Sequence, residues 1–504
     1  MAQHLLAIDQ GTTGSTALVL GLDGTTRGRA NREFPQHFPN PGEVEHEPEE
    51  IWLSVVGAIA DALSAAQVSG SDIAAIGITN QRETTLLWER SSGKPIHRAI
   101  VWQDRRTSAF CAELKQRGEL QKVRSTTGLV LDPYFSASKL RWLLDQVPGA
   151  RARAQAGELA FGTVDSYLVF RLAGGALAQA PHVTDVTNAS RTSLMNLVQR
   201  EWAPEMCRLF DVPEGVLPRI VPSAQKVAST RGVPGLPDGI VVSGIAGDQH
   251  AALFGQGCFE PGDVKCTYGT GAFVLMNTGA TPRASQHGLL STLAWQIGDK
   301  PVYALEGGCF VAGAAVQWLR DGLKIIGSAS EIEALAQSVS DNGGVTFVPA
   351  LAGLGAPHWD AEARGLICGL TRGTSRGHLA RATLEAIALQ VHELVAAMSQ
   401  DLGVPIPRLK VDGGASKNDL LLQLQADVAC VSVERPSELE TTARGAAMLA
   451  GIGAGLFSGP EDAARLLTTD RAFEPSLPVQ EREKLLRQWT TAILRTSSAH
   501  GAID

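Results

Sequence analysis

No stretch of this 504-residue sequence is apolar for long enough to span a bilayer. Its N-terminus lacks the basic, apolar, small-residue order of a secretory signal. Seven cysteines are scattered at positions 111, 207, 258, 266, 309, 368 and 430, with no CxxC and an odd count. That argues against a disulfide framework and points to reduced thiols in a cytoplasmic compartment. The sequon Asn188-Ala189-Ser190 therefore carries no expectation of glycosylation. Positive charge is in deficit, 44 Lys and Arg against 52 Asp and Glu, for a net charge of -8. Nucleic acid and anionic membrane are thus disfavoured as general partners. GxxxxGK[ST] is missing, because Gly93-Lys94 runs into Pro95; no GxGxxG follows a strand; and the histidines form no HExxH. P-loop, dinucleotide-fingerprint and zincin chemistries are set aside, and no repeat of solenoid period is present.

What is there is a 44% hydrophobic, 19% charged chain with ample core, long enough for roughly two to four domains. Its organising stretch is Leu5–Val19, LLAIDQGTTGSTALV: two apolar runs around a Gly-bearing turn, which predicts a β-hairpin. Thr26–Phe34 reads as a third strand. A helix opens at Pro48-Glu49-Glu50 and buries Ile51, Val55, Ile59 and Ala62. Ile73–Ile78 and Ile240–Ser243 read as strands, and the Pro/Gly-rich span 211–239 as surface loop. Near residue 252 the pattern restarts. Val264–Tyr268, Gly269-Thr270-Gly271 and Ala272–Met276 form a second strand–turn–strand. Two related α/β halves, 1–252 and 253–504, facing one cleft are expected. Gly451-Ile452-Gly453-Ala454-Gly455 reads as the capped end of a helix.

Three Gly-rich turns each follow a strand: Asp9–Ser15, Tyr268–Gly271 and Asp412–Ser416. Such turns let successive N–H groups converge on a phosphate, with Thr and Ser hydroxyls as further donors. Asp9 suits Mg²⁺ held through water. Phosphoryl transfer also needs an acid to take the acceptor's proton, and Asp248 suits that role; equally, it can be the N-cap of a helix beginning near His250. Arg82-Glu83 can bracket a small polyol or can be a solvated surface pair. Trp102 is an apolar wall of a site or a core side chain. Tyr134, after Pro133, faces ligand or anchors its loop.

Over nearly its whole length the chain resembles the FGGY carbohydrate-kinase family. The resemblance runs through LLAIDQGTTGSTALV, IAAIGITNQRETTLLWE, AIVWQDRRT, HVTDVTNASRT, GIAGDQHAALFGQ, TYGTGAF, LEGG and LKVDGGASKND. Both family signatures stand here, as YFSASKLRWLLDQ and GLICGLTRGTSRGHLARATLE. TNQRETT and GIAGDQ set the glycerol-phosphorylating members apart from the sugar kinases. The resemblance implies an α/β fold of two RNase H-like domains, of the actin/hexokinase/Hsp70 ATPase type, around a central cleft. It also implies the reaction of ATP with glycerol to give ADP and sn-glycerol 3-phosphate, with Mg²⁺. By motif, Arg82, Glu83, Tyr134, Asp248 and Gln249 would bind glycerol, with Asp248 the base and Trp102 and Phe273 flanking the carbon chain. Thr12, Thr13, Gly14 and position 16 would lie at the phosphates, with Asp9 near the metal. Thr270, Gly313, Gln317, Gly414 and Asn418 would contact the nucleotide. A cytoplasmic homo-oligomer, dimer or tetramer, without a membrane span is expected.

The chain departs from the family in two places. Thr16 stands where these kinases commonly carry Arg, leaving either weaker nucleotide binding or compensation by Lys265 or Arg372. The Gly-Gly-Lys-Gly loop through which some bacterial members bind fructose 1,6-bisphosphate is not evident in residues 229–239. The alternatives are another FGGY kinase acting on a pentitol or ketose, or a non-catalytic actin-like ATPase module. Arg82-Glu83 with Asp248 speaks against the module, which has no need of a polyol site.

Overall fold

The computed structural model describes residues 3–360 and 362–498. Thirteen strands share one sheet: β1 (His4–Gln10), β2 (Gly14–Gly21), β3 (Thr26–Glu33), β4 (Ile73–Asn80), β5 (Ala224–Ser229), β6 (Val241–Gly247), β7 (Val264–Tyr268), β8 (Ala272–Gly279), β9 (Leu290–Ile297), β10 (Lys300–Cys309), β11 (Arg408–Asp412), β12 (Ser432–Pro436) and β13 (Thr469–Phe473). The predicted hairpin is β1–β2, antiparallel from His4↔Gly21 to Gln10↔Ser15. β3 adds antiparallel to β2, and β4 and β6 add in parallel on the other side of β1. The same five-strand arrangement recurs in the second half. There β7, β8 and β10 form the antiparallel meander, and β11 and β12 lie parallel beyond β7. Two strands, β5 and β9, join the two units edge to edge.

β5 corrects one expectation. Residues 211–239 are not loop throughout: Ala224–Ser229 is a sheet strand, and Arg219–Val221 pairs with Val183–Asp185. The prolines at 218, 222, 234 and 237 bracket these strands rather than forbid them. Only Ala224 and Ala228 of β5 are buried, too few to show a period of two.

Period-two burial divides the first sheet cleanly. Leu6 and Ile8 face α1 (Pro48–Ala66), whose Ile51, Val55, Ile59 and Ala62 cover them, whereas Leu5 and Ala7 face the other way. That second face is covered from far along the chain. After α2 (Asp248–Gly255), α3 (Gly313–Asp321), α4 (Arg376–Leu402) and α5 (Asp419–Ala429) comes α6 (Thr441–Gly453), which packs against β1, β4, β6 and α2. The approach is backbone to backbone. A Cβ on Gly77 of β4 would lie 2.1 Å from the Ala446 carbonyl oxygen, and one on Gly445 would lie 1.9 Å from that of Ala251. Gly453, expected as part of a cap, belongs to this seam too: its Cβ would meet the Ser243 oxygen at 2.0 Å. Gly455, at φ +77°, is the glycine that ends the helix region.

This topology places the chemistry at one edge. β1, β4 and β6 run parallel with Gln10, Asn80 and Gly247 in register, so the chain leaves all three at one level. β7 and β11 do likewise, with Thr267 opposite Asp412. Crevices beyond the carboxyl ends of parallel strands are where open α/β sheets bind ligands. Among the described residues no helix is long and apolar enough to cross a membrane.

Candidate active site

The turn after β1 is tight. Gly11 N–H donates to the Gly14 carbonyl at 2.9 Å, and Gln81 braces it by donating to Gln10 Oε1 (3.0 Å) and the Gly11 oxygen (3.2 Å). Thr12 and Thr13 stay accessible at its tip, and Gly14 is buried. Ser15 faces away: its hydroxyl meets that of Ser54 on α1 at 2.7 Å, so it adds no donor to the turn. Thr16 lies directly opposite Asp9, so their side chains share a sheet face; Asn31 Nδ2 donates to Thr16 Oγ1 at 2.9 Å. Asp9 keeps a partly exposed edge. Desolvation, then the charges of Asp248 and Glu440, push its carboxyl up to about 8.

After β4 the chain makes a strained turn. Thr84 N–H donates to the Arg82 carbonyl at 2.7 Å, and Glu83 between them has φ +62°. A three-residue turn with positive φ at a side-chain-bearing residue is costly and needs outside support. Ser136 and Thr85 hydroxyls supply it, each donating to the Glu83 carbonyl at 2.9 Å. Arg82 and Glu83 are 3% and 1% exposed, so the reading of a solvated surface pair is excluded.

Their partners form a buried charge cluster. Arg82 binds Glu306 through both Nη atoms, at 2.5 and 3.0 Å, reaches Tyr134 Oη at 3.3 Å, and places Nε 3.0 Å from Asp248 Oδ1. Arg191 donates to Glu83 Oε1 (2.7 Å) and Glu306 Oε1 (3.1 Å), with its guanidinium over the Tyr134 and Phe135 rings. Burial alone would raise the Glu306 carboxyl, but Arg191 and Arg82 outweigh it and hold it at about 2. A carboxylate depressed on folding stabilises the fold above its ordinary value, 4.5, and that contribution is lost as pH falls towards 2. The melting temperature of the wild type should therefore fall more steeply over that window than that of Glu306→Gln. Parallel curves would mean that Glu306 is not held ionised by its arginines.

Asp248 is the cluster's outlet, with 31% of its side chain exposed. It is the first residue of α2, with Gly247 in the capping position, so the alternative of an Asp248 N-cap does not hold. Gln249 beside it is buried; Lys265 donates to its Oε1, to Thr267 Oγ1 (2.9 Å) and to the Phe273 carbonyl (3.4 Å). All three ammonium hydrogens of Lys265 are thereby used, so it is not a free cation standing in for an arginine at position 16. Arg372 lies exposed in the turn after Leu366–Cys368.

The aromatic residues close one wall. The Trp102 and Phe273 rings are 6.4 Å apart at 79°, and Trp102 and Tyr134 are 5.6 Å apart at 74°. Trp102 Nε1 donates to Thr12 Oγ1 at 3.0 Å, tying this wall to the first Gly turn. Tyr134 is set by Asp132, which accepts its N–H, and by buried Lys139, which donates to the carbonyls of Pro133, Tyr134 (2.8 Å) and Phe135 (3.3 Å).

The other two Gly turns sit side by side on β7 and β11. Thr270 is exposed, and its carbonyl and that of Gly269 accept the N–H groups of Ala312, Gly313 and Ala314. A Cβ on Gly313 would lie 2.6 Å from the Gly269 oxygen, and Gln317, one turn along α3, is exposed. Gly413 has φ +86° and Gly414 is exposed. Asn418 Oδ1 caps α5 by accepting the Leu421 N–H at 2.8 Å, which leaves its Nδ2. Thr441 of α6 donates to Asp412 Oδ2, and Asp412 Oδ1 is buried without a partner. Among the described residues no three metal-ligating side chains converge, so a divalent ion at Asp9 would be held by that carboxylate, water and phosphate oxygens.

Sequence reasoning gave no role to Arg191, Glu306 or Lys139, and cast Lys265 as a stand-in cation rather than as the holder of Gln249. The available signal for Glu306 was an acid between Ala304-Leu305 and Gly307-Gly308 in an otherwise apolar strand.

Comparison with known proteins places this arrangement. Residues 4–255 match the N-terminal domain, and 264–454 the C-terminal domain, of the FGGY family of carbohydrate kinases. The chain is 55% identical over 496 residues to a glycerol kinase of Myxococcus xanthus, covering 98% of this chain and 99% of that one. It is 54% identical over 493 residues to a glycerol kinase of Alkalilimnicola ehrlichii, covering 98% of each. The structure superposes on that of Plasmodium falciparum glycerol kinase with ADP with a TM-score of 0.89, at 34% identity and 98% coverage of both chains.

Proposed function

The chain belongs to the FGGY family of carbohydrate kinases, and we propose that it transfers the γ-phosphoryl group of ATP to a terminal hydroxyl of glycerol. The observation that carries this reading is the buried Arg82–Glu83 cluster opening on half-exposed Asp248 beside the Trp102–Phe273 wall. A three-carbon polyol needs paired donors and acceptors along one side and apolar surface for its C–H groups. Three of the five Arg82 N–H groups are hydrogen-bonded to Glu306 and Tyr134, and Nε lies 3.0 Å from Asp248 Oδ1, which leaves the second Nη1 hydrogen for substrate. Glu83 Oε2 has no partner among the described residues and accepts from a hydroxyl; Gln249, its oxygen taken by Lys265, donates through its amide NH₂. Asp248 accepts the proton of the attacking hydroxyl, as general base.

Residues 1–252 then supply the phosphate contacts and, with Phe273, the polyol contacts, and 253–504 the nucleotide contacts through Thr270, Gly313, Gln317, Gly414 and Asn418. Thr12, Thr13 and Gly14 meet the phosphates. Mg²⁺, when bound near Asp9, neutralises phosphate charge. The raised Asp9 carboxyl and unpartnered Asp412 Oδ1 fit a cation-seeking, phosphate-facing pocket.

The assay that tests the function measures ADP release from Mg-ATP with and without glycerol, and with a pentitol in its place. Release should depend on glycerol. Glycerol-independent release, or faster release with the pentitol, overturns the reading. Thr16 offers a further expected result. It shares the Asp9 face, so an arginine there would point toward the phosphates. Thr16→Arg should tighten ADP by up to about tenfold, or about 1.4 kcal/mol. Calorimetric titration checks this; unchanged or weaker binding would mean that the new guanidinium is captured by Asp9.

A further inference from the structure

We propose that Glu306 is a positioning residue of the polyol site: by holding the far end of the Arg82 guanidinium, it keeps Arg82 from closing over Asp248. The inference rests on the glycerol reading and adds a part to it. Glu306 lies on β10, 2% exposed, whereas Arg82, Arg191 and Asp248 all come from the first half of the chain. Its two oxygens take three N–H groups, two from Arg82 and one from Arg191. Arg82 is thereby pulled end-on towards β10, and its Nε is the atom it brings nearest to Asp248, at 3.0 Å from Oδ1. Two guanidiniums face three carboxylates here: Glu83, Glu306 and Asp248. Without Glu306 the arginines have only Glu83 and Asp248 to turn to. Arg191 already holds Glu83, so Arg82 would grip Asp248 with a paired fork, the geometry guanidinium and carboxylate favour. The carboxylate meant for the substrate proton would then be occupied, and the donor left for the polyol would turn away.

Glu306→Gln keeps the volume and removes the charge. With glycerol saturating it should lower kcat about tenfold, because Asp248 is captured. It should also raise glycerol KM about tenfold, because the Arg82 donor is misaimed, while ATP KM stays within about twofold. A purely structural loss would lower the active fraction without moving either KM. Because the single variant takes one negative charge from the cluster, Arg191→Met with Glu306→Gln restores the original charge balance and serves as the second variant. If Glu306 matters only as a counter-ion, the pair regains wild-type glycerol kcat and KM to within about threefold, and the proposal falls. If it positions Arg82, the pair folds and the loss persists, because Arg82 still has no end-on anchor. Wild-type kinetics in Glu306→Gln itself would also overturn it. Glycerol-dependent ADP release by the wild-type enzyme tests the underlying function separately.

Discussion

Asp248→Asn should lower turnover about 10²–10⁴-fold, the usual range for loss of a general base, with nucleotide affinity nearly unchanged. The asparagine keeps the shape of the side chain, which has room at 31% exposure, and keeps an oxygen beside Arg82 Nε. What it lacks is the ability to take a proton. Asp248 starts α2 and is not its cap; its Oδ1 accepts the Gln249 N–H at 2.7 Å, a bond that the asparagine oxygen can keep. Its effect should therefore fall on kcat and not on melting temperature. Steady-state kinetics with glycerol, alongside ADP titration of the same preparation, decide the matter. Turnover within a few-fold of wild type in folded protein would remove Asp248 from the chemistry.

Arg82→Ala should be the more damaging change to substrate binding and to the fold together. It leaves buried Glu306 with Arg191 alone and takes from Asp248 its ion-pair partner. Breaking a buried ion pair from one side costs about 3–5 kcal/mol. Glycerol KM should rise about 10²-fold, the factor for roughly 3 kcal/mol of lost charge-assisted contacts. ATP KM should change little, since the Gly turns of β7–β8 and β11 carry no contact with Arg82. Kinetics and thermal melting on one preparation check both. A shift in ATP KM with glycerol KM unmoved would mean that the two ligands have been assigned to the wrong ends of the cleft.

Residues whose role depends on nearby sequence were legible. The first Gly turn, the second strand–turn–strand from Val264 and α1 with its proline and acidic first turn could all be found from order and spacing, whereas Arg82-Glu83 stayed open between a polyol bracket and a surface pair until its burial excluded the second. Residues whose role depends on a distant partner were not. Arg82 and Glu306 are separated by 224 positions, and nothing local in Leu305-Glu306-Gly307 says which cation it meets. Ser15 misled for a related reason: in a strand, one step in register sends a hydroxyl to the opposite face, here to Ser54 and not to the turn. The short strand β5 carried too few buried residues to stand out from its prolines.

The seam under α6 has a consequence for the order of events on the ribosome. Leu5, Ala7, Leu18, Leu20 and Ala75 lie under Ala443, Ala446, Ala447, Leu449 and Phe457, residues made more than 350 positions after the last of them. While synthesis proceeds, the hairpin and β4 can pair and bury one face beneath α1, but their other face stays bare until Thr441–Gly453 has been made. Non-local closure of this kind is slow, and exposed apolar strands invite association with other chains. The helix that later seats on this face also presses against α2, whose first residue is Asp248, so that carboxylate gains its support from a segment translated nearly two hundred positions after it.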